Sequence, residues 1–168
     1  MPLRIMTVCT GNICRSPMAQ AVLADRFADA RIDAIVDSSG ISDEEAGNLI
    51  DPRARRVLAQ AGYPIPEHRA RSIELADFGR WDLILPMTYR HWWHLRRLAE
   101  RSGRPTAAVR MLREFEPGAQ PSPSPSSGLD IEDPWYGGMS NFTHALAQIV
   151  AASSGVLAWA RQRTPIPD

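Results

Sequence analysis

Hydrophobic residues follow two different spacings in the first forty positions of the chain. Residues 5–8 form a largely apolar run, which is typical of a strand buried on both faces. Residues 17–28 carry apolar side chains at the spacing of one helical face, and residues 35–40 return to a strand pattern. The helical positions are Ala19, Val22, Leu23 and Phe27. Strand, helix and strand form a right-handed crossover unit, so the two strands are predicted to be parallel neighbours.

The same alternation of strands and helices continues along the rest of the chain. Asp51 and Pro52 predict the N-cap and first position of a second helix, and Gly62 predicts its end. The later elements predicted from periodicity are strands over 83–87 and 109–112 and helices over 89–101 and 141–163. The chain is therefore predicted to be an α/β protein with four strands.

The segment over residues 116–128 differs in composition from its surroundings. It holds four prolines among serines and glycines, which excludes a helix or a central strand. We expect a surface loop inserted into a single domain that spans residues 1–168. A second possibility is a flap that contacts substrate, since the segment leads directly into Asp133 and Pro134.

The charge balance and the cysteine count narrow the class of protein. Lys plus Arg number 19 and Asp plus Glu number 19, so no net charge attracts nucleic acid or a membrane surface. No apolar run approaches the ~20 residues that span a bilayer, and the N-terminal residues show no signal-peptide pattern. The two cysteines, Cys9 and Cys14, cannot build a disulfide framework, which favours the reducing cytoplasm. We expect a cytoplasmic protein with neither a nucleic acid nor a membrane as partner.

The stretch that carries chemistry lies between the first strand and the first helix. A cysteine and an arginine flank five residues there, and Pro17 follows the serine after the arginine. Ser16 and Pro17 are predicted to be the N-cap and first residue of the helix. A loop at a helix N-terminus turns backbone N–H groups inward and binds an anion, and Gly11 permits the tight turn. The predicted phosphate-binding residues are Thr10, Gly11, Asn12, Ile13, Cys14, Arg15 and Ser16.

Three side chains of this loop suit phosphoryl transfer. Arg15 can bind two oxygens of a phosphoryl group through its planar guanidinium. The same positive charge and the amide dipoles favour the thiolate of Cys9, which can attack phosphorus and form a phospho-cysteine. Ser16 can donate its hydroxyl to the sulfur and ease its departure. A cysteine and an arginine at this spacing also occur by chance, but the strand, the glycine and the helix start favour the catalytic interpretation.

The loop sequence, followed by Ala19, resembles the signature of the low-molecular-weight protein tyrosine phosphatases. Further similarity lies in the stretches 37–40, 68–71, 82–85 and 133–137. The resemblance implies a three-layer α/β fold with a four-stranded parallel sheet flanked by helices, without a metal or cofactor. It also implies hydrolysis of phosphotyrosine, so the expected partner is a phosphotyrosine-containing protein or another phosphate monoester.

Phosphotyrosine hydrolysis needs a general acid, because the leaving phenolate has a conjugate acid with a pKa of ~10. The resemblance assigns this role to Asp133. Asp51 belongs to a second Asp-Pro pair, which helix capping explains. Trp135 and Tyr136 follow Asp133, and we expect them to form one wall of the cleft for an aryl phosphate. Ordinary packing of the two rings against the core is the alternative.

The resemblance also implies roles for residues that support the loop. The positions that match the polar network of the family are Asn12, Ser16, Ser38 and His68. Residue type alone allows a plain surface histidine at position 68 equally well. Cys14 is expected to capture Cys9 as a disulfide on oxidation and so protect it, and it also suits the role of a small buried residue.

Glu44 departs from the family pattern, in which an aromatic residue commonly forms the opposite wall of the cleft. A carboxylate at this position should repel acidic peptides and weaken stacking on an aryl ring. The chemistry would be unchanged, but a basic peptide or another phosphate compound becomes a more suitable substrate.

Two further clusters are interpreted without a catalytic role. His91 and His94 lie three positions apart on a predicted helix, but no third metal ligand has suitable spacing, so we expect them on the helix surface. The arginines at residues 53–56 are expected to form a solvated basic face.

Two other functions compete with the phosphatase. Arsenate reductase binds an oxyanion in a similar loop, but it needs further cysteines to relay a disulfide and has no use for Asp133. A phosphate-binding module without catalysis would not require an intact Cys9, Arg15 and Asp133.

Overall fold

Three parallel strands form the central sheet in the part of the chain that the computed structural model describes, residues 1–106, 108–119 and 122–164. The strands are β1 (Leu3–Cys9), β2 (Ala34–Gly40) and β3 (Leu83–Pro86). The helices are α1 (Arg15–Asp29), α2 (Pro52–Gln60), α3 (Tyr89–Arg101) and α4 (Met139–Arg161). The strand order is β2–β1–β3, which confirms the predicted parallel pairing of the first two strands.

Apolar side chains leave the sheet on both faces. On one face they pack against α1, α2 and α4, and on the other face against α3. The strand residues of the first face are Ile5, Leu83 and Leu85, and those of the second face are Met6, Val8 and Ile84. Helices cover both faces, which explains why β1 reads as an apolar run rather than as an alternating strand. The predicted three-layer α/β architecture is confirmed.

The prediction of a fourth strand over residues 109–112 is wrong, because only Val109 of these described residues pairs with the sheet. Val109 makes a single parallel bridge to Ile84, and the chain then leaves the sheet. Glu114 causes this exit, because its carboxylate accepts the backbone N–H of Met111 at 2.6 Å and starts a 3₁₀ helix over Leu112–Phe115. Apolar alternation alone does not distinguish a short strand from the approach to such a turn.

The start of α1 also differs from the prediction. The helix begins at Arg15, and Cys14 rather than Ser16 is its N-cap. Ser16 is unavailable as a cap because its hydroxyl bonds to the side chains of Cys9 and Asn12. Pro17 still lies in the first turn, where its missing N–H costs nothing.

The long helix α4 buries one face in the core. Gly155 allows it to approach the 3₁₀ helix over Leu112–Phe115, because a Cβ at this position would collide with the carbonyl oxygen of Phe115. Among the described residues, α4 alone is long and apolar enough to cross a membrane by length and composition, a test that core helices also pass. The expectation that no segment approaches this length is therefore wrong, although Phe142, Ile149 and Val156 are fully buried in the domain core.

The described parts of the proline-rich segment, residues 116–119 and 122–128, contain turns and neither helix nor strand. Residues 120 and 121 lie outside the described part of the chain. At the base of the segment, Arg113 Nη1 donates to the carbonyl oxygens of Gly128 at 2.8 Å and Asp130 at 3.1 Å. The segment therefore returns close to its origin, as a surface insertion would.

Candidate active site

The cysteine loop lies at the carboxyl ends of the parallel strands, where ligands bind in folds of this kind. Cys9 is the last residue of β1, and it pairs in register with Gly40 at the end of β2. A side chain at position 40 would collide with the carbonyl oxygen of Thr10. Gly40 therefore allows the cysteine loop to pass close over the end of the neighbouring strand.

The nucleophile candidate Cys9 is 2% exposed, and its sulfur lies 3.0 Å from the hydroxyl of Ser16. Asn12 Nδ2 donates to the same hydroxyl oxygen at 2.9 Å. Because the amide nitrogen of Asn12 can only donate, the Ser16 oxygen accepts there and keeps its own proton for the sulfur. This arrangement stabilises a thiolate on Cys9 and gives Ser16 the position expected from the sequence.

Asn12 fixes the conformation of the loop with its side chain and its backbone. It has a φ of 62°, in the left-handed region, and is fully buried. Its Nδ2 donates to Ser38 Oγ at 2.9 Å, and its Oδ1 accepts the backbone N–H of Arg71 at 3.0 Å. Ser38 in turn donates to Gln20 Oε1 at 2.7 Å. The structure thus brings Asn12 and Ser38 together, and it adds two partners, Gln20 and Arg71, that the sequence did not single out.

His68 supports the same loop through its backbone. Its Nε2 lies 2.6 Å from the carbonyl oxygen of Asn12. Burial lowers the pKa of His68 below its ordinary value, although the hydrogen bond to Asn12 acts in the opposite direction. Residue 68 is therefore not a plain surface histidine.

The backbone of the loop is available to an anion. In the described part of the chain, no backbone carbonyl accepts a hydrogen bond from the N–H groups of residues 10–14. Helix α1 begins directly after them, which adds the positive end of the helix dipole. Unpaired N–H groups at a helix N-terminus are the usual protein site for a phosphate.

Arg15 is held from several sides and is 4% exposed. Its Nη1 donates to the carbonyl oxygen of Ile131 at 2.9 Å, and its Nη2 lies 3.4 Å from Asp133 Oδ2 and 3.5 Å from Thr10 Oγ1. Its Nε is buried and has no hydrogen-bond partner among the described residues. An unpaired guanidinium donor is costly to bury, and a phosphate oxygen would satisfy it.

The acid candidate Asp133 lies at the same pocket as the loop, with a side chain that is 34% exposed. Its Oδ1 accepts the N–H of Trp135 at 3.1 Å and caps a 3₁₀ helix over Pro134–Tyr136. Asp51 caps α2 in the same way, accepting the N–H of Arg53 at 2.8 Å. The sequence argument that capping separates the two Asp-Pro pairs is therefore wrong, because both aspartates are caps. The contact of Asp133 with Arg15 is what distinguishes it.

Aromatic and acidic side chains line the mouth of the pocket. Trp135 and Tyr136 are 47% and 84% exposed, and their rings meet edge to face with centroids 5.0 Å apart. Glu44 and Glu45 line the pocket as well. The predicted wall residues are thus placed together at one opening, with two carboxylates where the sequence indicated one.

Arg53 connects α2 to the segment that follows Asp133, so the expectation that it belongs to a solvated face is wrong. Its Nη1 donates to the carbonyl oxygens of Trp135 at 3.1 Å and Gly137 at 3.2 Å, while its Nε and Nη2 bind both carboxylate oxygens of Asp51. Its guanidinium also stacks on the ring of Phe142, 4.6 Å from the centroid. Burial opposes ionisation of Asp51, but the hydrogen bonds from Arg53 prevail and lower the pKa of its carboxyl.

Cys14 lines the pocket beside Cys9 and is 4% exposed, and both cysteines are free thiols. Burial raises the pKa of Cys14 far above its ordinary value, and the charges of Asp51 and Cys9 add to this effect. Cys14 is therefore a neutral thiol.

His91 lies under the loop and not on the helix surface, which corrects the sequence interpretation. It is 1% exposed, and its Nε2 lies 2.8 Å from Thr10 Oγ1. The signal that could have revealed it is the row His91, Leu95 and Ala99, which are four residues apart and form the buried face of α3. The described residues contain no group of three or more metal-ligating side chains around it.

Comparison with known proteins identifies the family. The family model described as low molecular weight phosphotyrosine protein phosphatase matches residues 4–164. The chain is 41% identical over 165 residues to a low molecular weight protein-tyrosine-phosphatase of Streptomyces coelicolor, covering 97% of this chain and 96% of that one. It is 38% identical to low molecular weight protein-tyrosine phosphatase A of Mycobacterium tuberculosis, covering 96% and 94%. The chain belongs to the low molecular weight phosphotyrosine protein phosphatase family, as its loop sequence predicted.

A solved structure agrees with this assignment. A Drosophila arginine phosphatase superposes with a TM-score of 0.83 at 27% identity, over 96% of this chain and 99% of that chain. The cysteine-dependent enzyme class and the α/β fold predicted from the sequence are both confirmed.

Proposed function

We propose that the protein hydrolyses phosphotyrosine and related aryl phosphate monoesters through a phospho-cysteine at Cys9. One observation carries the proposal: Cys9, Arg15 and Asp133 line the same pocket, although Asp133 is remote from the loop in sequence. The family assignment supports the reaction, and the three side chains supply its nucleophile, its anion clamp and its acid.

In the first step, the Cys9 thiolate attacks phosphorus and the bond from phosphorus to the phenolic oxygen breaks. Asp133 gives its proton to the departing oxygen, so that tyrosine leaves as a neutral phenol. Arg15 and the N–H groups of residues 10–14 bind the remaining phosphoryl oxygens, which carry the developing charge. Asp133 Oδ2 lies 3.4 Å from Arg15 Nη2, so the carboxyl group is within reach of a phosphoryl group bound by this arginine.

In the second step, water attacks the phospho-cysteine and the bond from phosphorus to sulfur breaks. Asp133, now a carboxylate, takes the proton from water and returns to its acid form. Cys9 leaves as a thiolate, and the Ser16 hydroxyl at 3.0 Å stabilises the charge on sulfur. Inorganic phosphate then leaves the loop, and the site is ready for another turnover.

Hydrolysis of an aryl phosphate by the wild-type chain and by Cys9→Ser tests the proposal. We expect turnover in the first and none in the second. Mass spectrometry of the acid-quenched wild-type enzyme should find a phosphoryl group on the peptide that holds Cys9, and a Cys14→Ser variant should carry it at the same residue. Turnover by both wild type and Cys9→Ser, or by neither, would contradict the mechanism.

A second candidate substrate is phosphoarginine. Glu44, Glu45 and Asp133 place three carboxylates around the pocket, and a guanidinium is a better partner for them than a neutral phenyl ring. The solved arginine phosphatase of similar fold adds support. Turnover of matched peptides that carry phosphotyrosine or phosphoarginine at one position distinguishes the two, and we expect the tyrosine peptide to react with the higher kcat/KM.

The proposal also covers the physiological partner, the cellular location and the domain organisation. The physiological partner is a phosphotyrosine-containing protein or another phosphate monoester. A cytoplasmic location is supported by two buried cysteines that are both free thiols. Residues 1–168 are proposed to form one phosphatase domain, in which 116–128 is an insertion at the surface.

A further inference from the structure

A buried histidine contacts the first residue after the nucleophile. His91 belongs to α3, on the face of the sheet opposite α1, and its Nε2 reaches Thr10 Oγ1 at 2.8 Å. Its backbone N–H is fixed by the Thr88 hydroxyl, the N-cap of the helix. Nothing in the chemical steps above uses this imidazole, yet it is 1% exposed and lies directly beneath the pocket.

The Thr10 hydroxyl joins His91 to Arg15. Arg15 Nη2 lies 3.5 Å from Thr10 Oγ1, and a guanidinium can only donate hydrogen bonds, so the hydroxyl oxygen accepts from it. The hydroxyl proton is then available to Nε2 of His91. The other ring nitrogen, Nδ1, is buried and has no hydrogen-bond partner among the described residues.

A neutral imidazole can accept this hydrogen bond, whereas an imidazolium cannot. Burial, followed by the positive charges of Arg15, Arg90 and His94, lowers the pKa of His91 to about 3. A protonated ring would place a second cation near Arg15 and could only donate. The His91 ring that contacts Thr10 is thus neutral at every pH at which the enzyme would work.

We propose that His91 is a positioning residue for phosphate binding: through the Thr10 hydroxyl it orients the Arg15 guanidinium and leaves the unpaired Nε to the phosphate. The other contacts of Arg15, with Ile131 and Asp133, come from the segment that carries the acid. The contact with Thr10 is the one that comes from the loop itself, and His91 fixes its rotamer. This inference rests on the proposed function for its biological meaning, but one readout of its test, thermal stabilisation by phosphate, does not require turnover.

Binding of inorganic phosphate tests the proposal. The readouts are thermal stabilisation of the intact protein by phosphate and competitive inhibition of aryl phosphate hydrolysis. The variants are His91→Leu, which suits an apolar helix face, His91→Gln, whose amide can replace Nε2, Thr10→Val, and the double variant His91→Leu with Thr10→Val. For His91→Leu and Thr10→Val we expect phosphate to bind about tenfold more weakly, the usual cost of losing a hydrogen bond to a charged network.

Three features separate positioning from a purely structural role. His91→Gln should bind phosphate within about threefold of wild type, the double variant should lose no more than either single variant, and the loss should be equal at pH 5.5 and 7.5. A change in KM should accompany the change in phosphate affinity.

Unchanged phosphate affinity in His91→Leu, or additive losses in the double variant, would overturn the proposal even if the unligated melting temperature falls. Failure of wild type to hydrolyse any aryl phosphate would refute the proposed function instead, and the phosphate-binding comparison would remain valid.

Discussion

The floor and the mouth of the pocket are built in different ways. Cys9, Asn12 and Ser16 at the floor are 2%, 0% and 0% exposed, and side-chain hydrogen bonds join them in one network. At the mouth, Trp135 and Tyr136 are 47% and 84% exposed. Few side-chain contacts hold this segment, and Arg53 supplies two of its backbone hydrogen bonds.

This difference separates two tasks of the enzyme. A buried, fully paired network pre-organises the groups that bind the phosphoryl oxygens, so almost any change there should cost activity. The exposed mouth adapts more easily, because substitutions there leave the floor intact. We therefore expect reaction chemistry to depend on the floor, and proton delivery and substrate choice to depend on the mouth.

The largest effect is expected for the acid at the mouth. Asp133→Asn keeps the cap on the 3₁₀ helix, since Asn also caps well, but it cannot donate the proton. We expect kcat to fall by roughly 10²–10⁴ with phosphotyrosine and by much less with an aryl phosphate whose leaving group is already acidic.

Asp51→Asn is the matched control for this change, because it makes the same substitution at the other capping Asp-Pro pair. It should change the two rates by similar small factors. Equal losses on both substrates in Asp133→Asn would contradict its role as the acid.

The floor is tested at Asn12, where we expect the next largest effect. Asn12→Ala removes the bonds to Ser16, Ser38 and Arg71 and retains an L side chain at positive φ. We expect kcat/KM to fall about a hundredfold and the free energy of unfolding to fall by roughly 2–4 kcal/mol, since buried partners lose their hydrogen bonds.

Asn12→Gly relieves the backbone strain but not the lost bonds, so it should recover some stability and little activity. Full recovery of activity in the glycine variant would mean that the backbone conformation, and not the side-chain network, sets the geometry of the floor.

The sequence predicted the residues of the pocket floor better than it predicted the residues that hold them in place. Cys9, Arg15 and the glycine between them follow a local pattern, so the strand, loop and helix could be placed from neighbours in the chain. Gln20 and Arg71 could not be found in this way, because they reach Asn12 and Ser38 from distant segments and carry no motif of their own. Long-range packing decides such partners, and periodicity does not encode it.

At the mouth of the pocket, the local sequence pattern cannot tell a functional residue from a structural one. Asp51 and Asp133 have the same local pattern and make the same capping bond, so only tertiary placement beside Arg15 separates them. The expectation of a solvated face for Arg53 fails as well, because an arginine-rich run indicates a surface but not the carbonyl groups that one of its members contacts. The fourth strand failed for a related reason, since a side-chain cap by Glu114 prevailed over apolar alternation.

Arg53 connects the two Asp-Pro segments, and its removal should loosen the segment at the mouth of the pocket that follows Asp133. Arg53→Met retains bulk over Phe142 but frees the carbonyl oxygens of Trp135 and Gly137. We expect kcat to fall about tenfold with phosphotyrosine because the acid is less well placed. Arg56→Met, in the same basic run but exposed, is the matched control and should leave kcat unchanged. Equal kcat values in wild type and Arg53→Met would show that the segment is held without this arginine.

The smallest effect is expected from charge at the mouth, and it concerns substrate choice alone. Glu44→Lys reverses one carboxylate of the pocket lining, while Asp43→Lys makes the same change of charge at a neighbouring exposed residue. With phosphotyrosine peptides flanked by basic or acidic residues, we expect Glu44→Lys to shift the ratio of their kcat/KM values toward the acidic peptide by about two- to fivefold, the scale of an exposed ion pair. The shift should disappear near 1 M salt, where the Debye length is about 3 Å. If Asp43→Lys shifts the ratio as strongly, general surface charge rather than the pocket mouth selects the substrate.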